Sequence, residues 1–505
     1  MEGTMTMRIS TLSWFCFLAA ACSHPPVQSP TVVTDQSTSI RVPQSPENKV
    51  DILFMIDNSP SMAAMQDELK NRFGDFFTVF DQLAATGTYT DLHIGIITSD
   101  YGAGDTAEGG CAKSPGGDLG HLQQLGHAAA AGCQGPTDNY ISYVFGPNDT
   151  ATSNLQGASS PANLVGTFTC MASGGAAGCG FEHQLESAYA ALKDTTSTFN
   201  KGFLREDALL TVVFLTNEDD GSAYPTTHMY ESAASATFGA YDTYRQTEWA
   251  IECGGTHAPY ASSNGPLTDC SPLDPPPGDA YPIDRYINFF TRPAAQGGVK
   301  ANPNDVILVA IDAPPAPFST LLATSTSGNG AAPSPTFVPC SAISPTCQVR
   351  LQHSCQNMSN PAFFGDPPLR LDAVVNAAKF HQIANICGDD PTQTPDYTNA
   401  LQNLGGLIIV NIGNGCIPSK VPDVSNVECA VVEVTPQADG TNVQSAVPAC
   451  ASSGATPCWK VEAKSACTNL SPDGLGVTVD YGTMDAGLPQ GTYINVQCVT
   501  EVAES

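Results

Sequence analysis

The sequence predicts an α/β fold: a doubly wound, mostly parallel sheet with long disulfide-stapled insertions, followed by a small β-rich module at the C-terminus. Three observations predict it. Apolar, β-branched runs alternate with segments of helical periodicity, the pattern of parallel strands covered on both faces. Between them lie long stretches rich in Gly, Ala, Pro and Ser that carry spaced cysteines. Residues 416–505 change character, with six cysteines among segments that alternate apolar and polar residues.

The chain opens on a targeting segment. Arg8 precedes the apolar run Ile9 to Ala21, too short to span a bilayer and typical of a secretory signal over residues 1–21. The segment ends Leu18-Ala19-Ala20-Ala21-Cys22, which resembles a bacterial lipobox. The resemblance implies cleavage before Cys22 and lipidation of that cysteine, an anchor that needs no transmembrane helix. Residues 22–48, rich in Pro, Ser, Thr and Gln, read as a flexible tether. The expected location is the bacterial cell envelope, lipid-anchored, with Ser23 after the lipid site pointing to the outer membrane and leaving open its periplasmic or surface face.

The α/β body is expected over residues 49–415. Val50–Ile56 is a strand. Met62 to Phe80 places Met65, Leu69, Phe73, Phe76, Phe77 and Phe80 at helical spacing. His93–Thr98 is a strand, Phe181–Leu192 a helix, and Leu209–Leu215 and Asp305–Ile311 are strands. Leu369–Ile386 reads as a helix and Leu404–Ile412 as a last strand. The insertions occupy about 101–178, 221–282 and 313–366, and the first two follow strand ends. Loops of this length are functional, disordered or stapled, and the eight cysteines within these three insertions favour staples. Setting aside Cys16 and Cys22 leaves sixteen of the 18 cysteines. They are spread widely and form no Cys-x-x-Cys pair, so up to eight disulfides in an oxidising compartment are expected.

Composition excludes some functions. The formal charge of −30, from 49 acidic against 19 basic residues, disfavours binding to nucleic acid or anionic lipid. With 42% hydrophobic and 13% charged residues, the chain is a folded body and not an acidic disordered one.

Val50–Ile56 runs into Asp57-Asn58-Ser59-Pro60-Ser61. One carboxylate and two hydroxyls on a tight loop are hard oxygen donors of the kind that Mg²⁺, Mn²⁺ or Ca²⁺ prefers; the same residues also suit a plain helix cap. The strand Leu209–Leu215 runs into Thr216-Asn217-Glu218-Asp219-Asp220-Gly221, where three consecutive acids either meet a cation or form a solvated acidic turn. Gly178-Cys179-Gly180-Phe181-Glu182 precedes a helix, with Glu182 aimed at the same crevice or compensating the helix dipole.

Taken together, these three loops resemble the metal-ion-dependent adhesion site of von Willebrand factor A (vWA) domains, of the cysteine-rich bacterial lipoprotein type. The resemblance implies a Rossmann-like fold and a divalent cation held by Asp57, Ser59 and Ser61. It adds Asn217 through its amide oxygen, or Asp219 in its place, where the family has an aspartate. Glu182 stands where the family has a threonine. An open cation position would then accept an Asp or Glu carboxylate of a protein partner, and no catalytic residues are assigned. A cation-stabilised structural envelope protein without a specific ligand is the alternative reading. A metal-dependent hydrolase is a third, based on His183 and Glu186 at i, i+3, but the chain holds neither His-Glu-x-x-His nor Gly-x-Ser-x-Gly.

Overall fold

The computed structural model describes residues 36–43, 48–85, 88–104, 111–148, 150–239, 241, 244–256, 266–274, 280–325, 337–344, 346–412, 415–417, 419–436, 442–450, 456–464, 467, 471–482 and 492–500. The signal segment, Cys22 and most of the expected tether lie outside them. No helix among the described residues is long and apolar enough to cross a membrane.

The body is built on β2 (Asn48–Ile56), β3 (Thr90–Thr98), β4 (Tyr140–Gly146), β5 (Thr150–Ser153), β6 (Leu209–Leu215), β7 (Val306–Asp312) and β8 (Phe380–Asn385); β1 (Gln36–Pro43) belongs elsewhere. These form one 7-stranded sheet in the order β8-β7-β6-β2-β3-β4-β5. The strands from β8 to β3 run parallel, and the hairpin β4–β5 extends the far edge antiparallel. Strand order reverses at β2: the chain passes to β3 on one side and returns to β6 on the other. Ligands of open α/β sheets bind beyond the carboxyl ends of the strands at such a switch point.

Side-chain alternation divides the core in two. Val50, Ile52, Phe54 and Ile56 face α1 (Ala63–Ala85), α2 (Pro161–Met171) and α6 (Thr398–Asn411). Leu53 and Met55 face α3 (Gln184–Lys193), α4 (Asp284–Thr291) and α5 (Leu369–Ala377). The Phe residues of α1 form an aromatic cluster, with Phe73 stacked on Phe168 at 3.5 Å and edge-on to Phe54 at 6.2 Å. Asp51 breaks the apolar run of β2; the Arg205 guanidinium and backbone N–H both donate to its carboxylate, at 2.8 and 2.7 Å.

Two expected elements change type. Helix α5 stops at Ala377, and residues 380–385 form the edge strand β8 with an alternating burial pattern. Residues 404–412, read as a strand, lie mostly in α6. Leu401, Leu404, Ile408 and Ile412 make one buried stripe at helical spacing, and Gly405 lets the backbone approach α1, where an added Cβ would stand 3.0 Å from Val79. The β4–β5 hairpin and α2 arise within the first insertion, whose weak periodicity hid them.

All sixteen expected cysteines pair: Cys111–Cys179, Cys133–Cys170, Cys253–Cys270, Cys340–Cys347, Cys355–Cys387, Cys416–Cys467, Cys429–Cys498 and Cys450–Cys458. The last three staple the C-terminal module, which contains β9 (Cys429–Pro436), β10 (Asn442–Ala446), β11 (Cys458–Ala463), β12 (Leu475–Asp480) and β13 (Tyr493–Thr500). Its main sheet runs β1-β13-β9-β10. A strand from the segment expected as tether thus completes a sheet more than 400 residues away in sequence, paired antiparallel from Gln36–Thr500 to Pro43–Tyr493.

Removing the ring of Phe73 leaves a cavity between α1, α2 and β2. Phe73→Ala is expected to destabilise the α/β body by about 3–5 kcal/mol, read as a lowered denaturation midpoint.

Candidate functional site

The carboxyl ends of β2, β3 and β6 meet at a crevice closed by three loops. The first begins at Asp57, whose N–H continues the ladder by donating to the Leu215 carbonyl at 3.0 Å. Asp57 is fully buried. One of its carboxylate oxygens accepts from Ser59 N–H at 2.8 Å and from Ser99 Oγ at 3.1 Å, the other from Thr216 Oγ1 at 2.8 Å. One side chain therefore ties the ends of three neighbouring strands.

Ser59 Oγ lies 3.1 Å from Ser61 Oγ, which donates to Asn217 Oδ1 at 2.9 Å. The first and third loops are thus joined by a row of hard oxygen donors. Ser59 and Asn217 are buried and Ser61 is half-buried.

The Gly178–Glu182 loop is laid along the first: Gly178 N–H donates to the Asn58 carbonyl at 2.9 Å, and His183 N–H to the Ser99 carbonyl at 3.0 Å. A Cβ on Gly178 would fall 2.2 Å from Asn58 Oδ1, so any larger residue here would displace the Asn58 side chain. The Cys111–Cys179 disulfide holds the loop from the first insertion. Glu182 is wholly buried; Oε2 accepts from Gln246 Nε2 at 3.0 Å while Oε1 has no partner. Desolvation, with the Asp57 charge nearby, pushes its pKa up to about 8.

The three consecutive acids go to three different places. Glu218 turns into the crevice beside Glu182, and burial with the charges of Glu182, Asp366 and Asp57 raises its pKa well above the ordinary range. Asp219 turns away: it accepts from the backbone N–H of Arg370 at 3.0 Å and of Leu371 at 3.1 Å, capping α5. Asp220 accepts from Leu185 N–H at 3.0 Å at the start of α3 and pairs with buried Arg370 at 3.2 Å.

Of the residues singled out from sequence, Asp57, Ser59, Ser61, Asn217 and Glu182 come together, and Asp219 does not join them. Sequence reasoning placed Asp219 where Glu218 stands. It also missed Thr216, Ser99 and Gln246, and Asp366, which the third insertion brings in through its N–H to the Asn217 carbonyl at 2.8 Å. The signal available was the two-residue alternation from Thr216 to Glu218, which carries both to the crevice side. His183 and Glu186, weighed for zinc, diverge: His183 Nδ1 accepts from Ala223 N–H at 3.4 Å, and Glu186 is bound bidentately by Arg285 at 3.0 and 2.9 Å.

Among the described residues no three or more His, Cys, Asp or Glu side chains are arranged to hold a metal ion. The donor set that fits a divalent cation is mixed: the hydroxyls of Ser59 and Ser61, the amide oxygen of Asn217, and the carboxylates of Glu182 and Glu218. The fit rests on hard-oxygen chemistry and on the unpartnered, buried Oε1 of Glu182.

No protein-family model matches the chain, and no curated protein matches it. Among solved structures, it overlaps the pilus adhesin SpaC from Lactobacillus rhamnosus GG in its open conformation, at 10% identity and TM-score 0.29, covering 93% of this chain and 41% of SpaC. It overlaps the pilus adhesin RrgA from Streptococcus pneumoniae at 7% identity and TM-score 0.22, covering 94% of this chain and 60% of RrgA. The adhesive tip pilin GBS104 from Group B Streptococcus agalactiae overlaps at 10% identity and TM-score 0.25, with 93% and 82% covered. The chain spans less than two thirds of SpaC and of RrgA. Overlaps of this size carry no argument about fold or activity.

A folded-state pKa above the unfolded value makes an acid cost stability as pH rises between the two. For Glu182 that window runs from the ordinary glutamate range to about 8. In chelator, the melting temperature is expected to fall from pH 5 to 8, and to fall less in Glu182→Gln, as read by differential scanning fluorimetry.

Proposed function

We propose that this chain is a non-enzymatic, vWA-like binding protein of the cell exterior that engages a protein partner through a divalent cation at the Asp57 crevice. One observation carries the reading: at the switch point of a mostly parallel sheet, the oxygens of Ser59, Ser61 and Asn217 stand in one hydrogen-bonded row, and Glu182, beside Glu218, keeps a buried carboxylate oxygen with no partner.

In this reading Ser59, Ser61, Asn217, Glu182 and Glu218 hold Mg²⁺, Mn²⁺ or Ca²⁺, and Asp57 orients the first loop from behind. Asp57 suits that supporting role because donors from three strand ends already occupy both its oxygens. A bound cation supplies a positive centre with a position open to an Asp or Glu carboxylate of the partner. Asp366, with His353 hydrogen-bonded to it at 2.6 Å, stands at the rim contributed by the third insertion, and the insertions set which partner fits. The eight disulfides support an oxidising, extracytoplasmic compartment. Lipid anchoring through Cys22 completes the proposal and supplies the only contact with membrane.

The same satisfied Asp57 favours a second reading, a structural envelope protein whose cation adds stability without a ligand. Calorimetric titration of Mg²⁺, Mn²⁺ and Ca²⁺ into the metal-stripped oxidised protein addresses both. Saturable binding is expected in the parent, with a loss of about tenfold or more in Asp57→Ala and in Ser61→Ala. Absence of heat from the folded parent would remove the cation site. Cation binding that raises stability, with identical cell or matrix adhesion by parent and Ser61→Ala, would favour the structural reading.

A further inference from the structure

Apart from the crevice acids, a second group of buried carboxyls lies behind the crevice loop. Asp312 is the last residue of β7, and Asp372 lies in the first turn of α5, which packs on β7 and β8. Asp312 is fully buried and Asp372 nearly so. Both carboxylate oxygens of Asp312 and Oδ1 of Asp372 are buried with no donor to accept from, and the two carboxyl groups lie close enough for each to act on the other.

The charged groups around the pair are committed elsewhere. Arg370 bonds Asp220 and the Tyr281 carbonyl through Nη2; its Nη1 is buried without a partner, and Arg370 is not among the groups acting on either acid. On α4, Arg285 holds Glu186, and Asp284 N–H binds Asp274. On β8, His381 bonds the Ala378 carbonyl, and Lys379, just before the strand, lies over the Phe380 ring. Asp219, capping α5, is the further acid acting on Asp312. Two carboxylates cannot both stay ionised in an apolar interior without a counter-ion. Three unpartnered oxygens also fall short of the six to eight that Ca²⁺ takes, or the octahedron of Mg²⁺.

We propose that Asp312 and Asp372 form a carboxylic acid–carboxylate pair joined by one shared proton, and that this proton locks α5 onto the sheet behind the crevice. Helix α5 also receives Asp219 at its N-terminus, so the lock supports the loop that carries Asn217 and Glu218. Burial raises Asp372 to about 6, against the opposing effect of its contact with Asp312, while burial and the Asp372 charge push Asp312 well above the usual range. The stabilisation is complete in mild acid and is lost as pH rises through these values. The proposal is independent of the cation reading.

The test uses the oxidised protein in chelator. Infrared spectra at neutral pH should show a protonated-carboxyl band that weakens in both Asp312→Asn and Asp372→Asn. An Asn amide can donate to the remaining carboxylate in place of the shared proton. Each variant should therefore lose about one proton's worth of the pH slope of stability between pH 4 and 8 and melt no lower than the parent at pH 8. Either variant alone suffices if the other fails to fold. An unchanged band and an unchanged slope in a folded variant would overturn the pair. So would a rise in melting temperature, on adding Ca²⁺ to the stripped protein after the chelator is removed, that Asp312→Asn abolishes and Ser61→Ala retains, since a cation would then stand where the proton is placed.

Discussion

Desolvation of carboxylates at the carboxyl edge of the sheet is the constraint on which the rest of this structure depends. A buried acid must find donors, a proton or a cation, and the protein meets that demand differently at each position. Asp57 takes donors from the ends of β2, β3 and β6 and so holds the three central strands in register. Asp219 and Asp220 take the backbone donors at the starts of α5 and α3, where helix termini leave N–H groups unpaired. Glu182 and Glu218 receive too few donors, and it is there that a cation would be bound most gainfully.

The insertions take part in that arrangement. The Cys111–Cys179 disulfide fixes the approach to Glu182 from the first insertion, Gln246 reaches Glu182 from the second, and Asp366 lies against Asn217 from the third. A minimal sheet would leave the crevice open on these sides. The disulfides therefore do more than close long loops: they fix which side chains line the opening.

Much of the body was legible in the sequence. Val50–Ile56, His93–Thr98 and Leu209–Leu215 are short, mainly apolar and β-branched runs buried on both faces, and the Phe-rich stripe of α1 has no strand counterpart. The failures have local causes. The Gly-Gly-Leu-Ile-Ile-Val run of α6 has strand composition, and only its packing on Val79 and the sheet makes it helical. Strand β8 has the mixed polarity of an edge and follows α5 after two residues. At the site, Asp57, Ser59 and Ser61 were legible because their geometry is set within five residues. The choice between Glu218 and Asp219 was not, because Asp219 is claimed by Arg370 and Leu371 about 150 residues later in the chain. Likewise, nothing local in Gln36–Pro43 announces its pairing with β13.

The most direct test of the central claim is anomalous diffraction from crystals of the oxidised protein grown with Mn²⁺. One strong anomalous peak is expected among Ser59, Ser61, Asn217, Glu182 and Glu218, absent from crystals of Ser61→Ala. An intact crevice without a peak, or manganese bound only elsewhere, would contradict it.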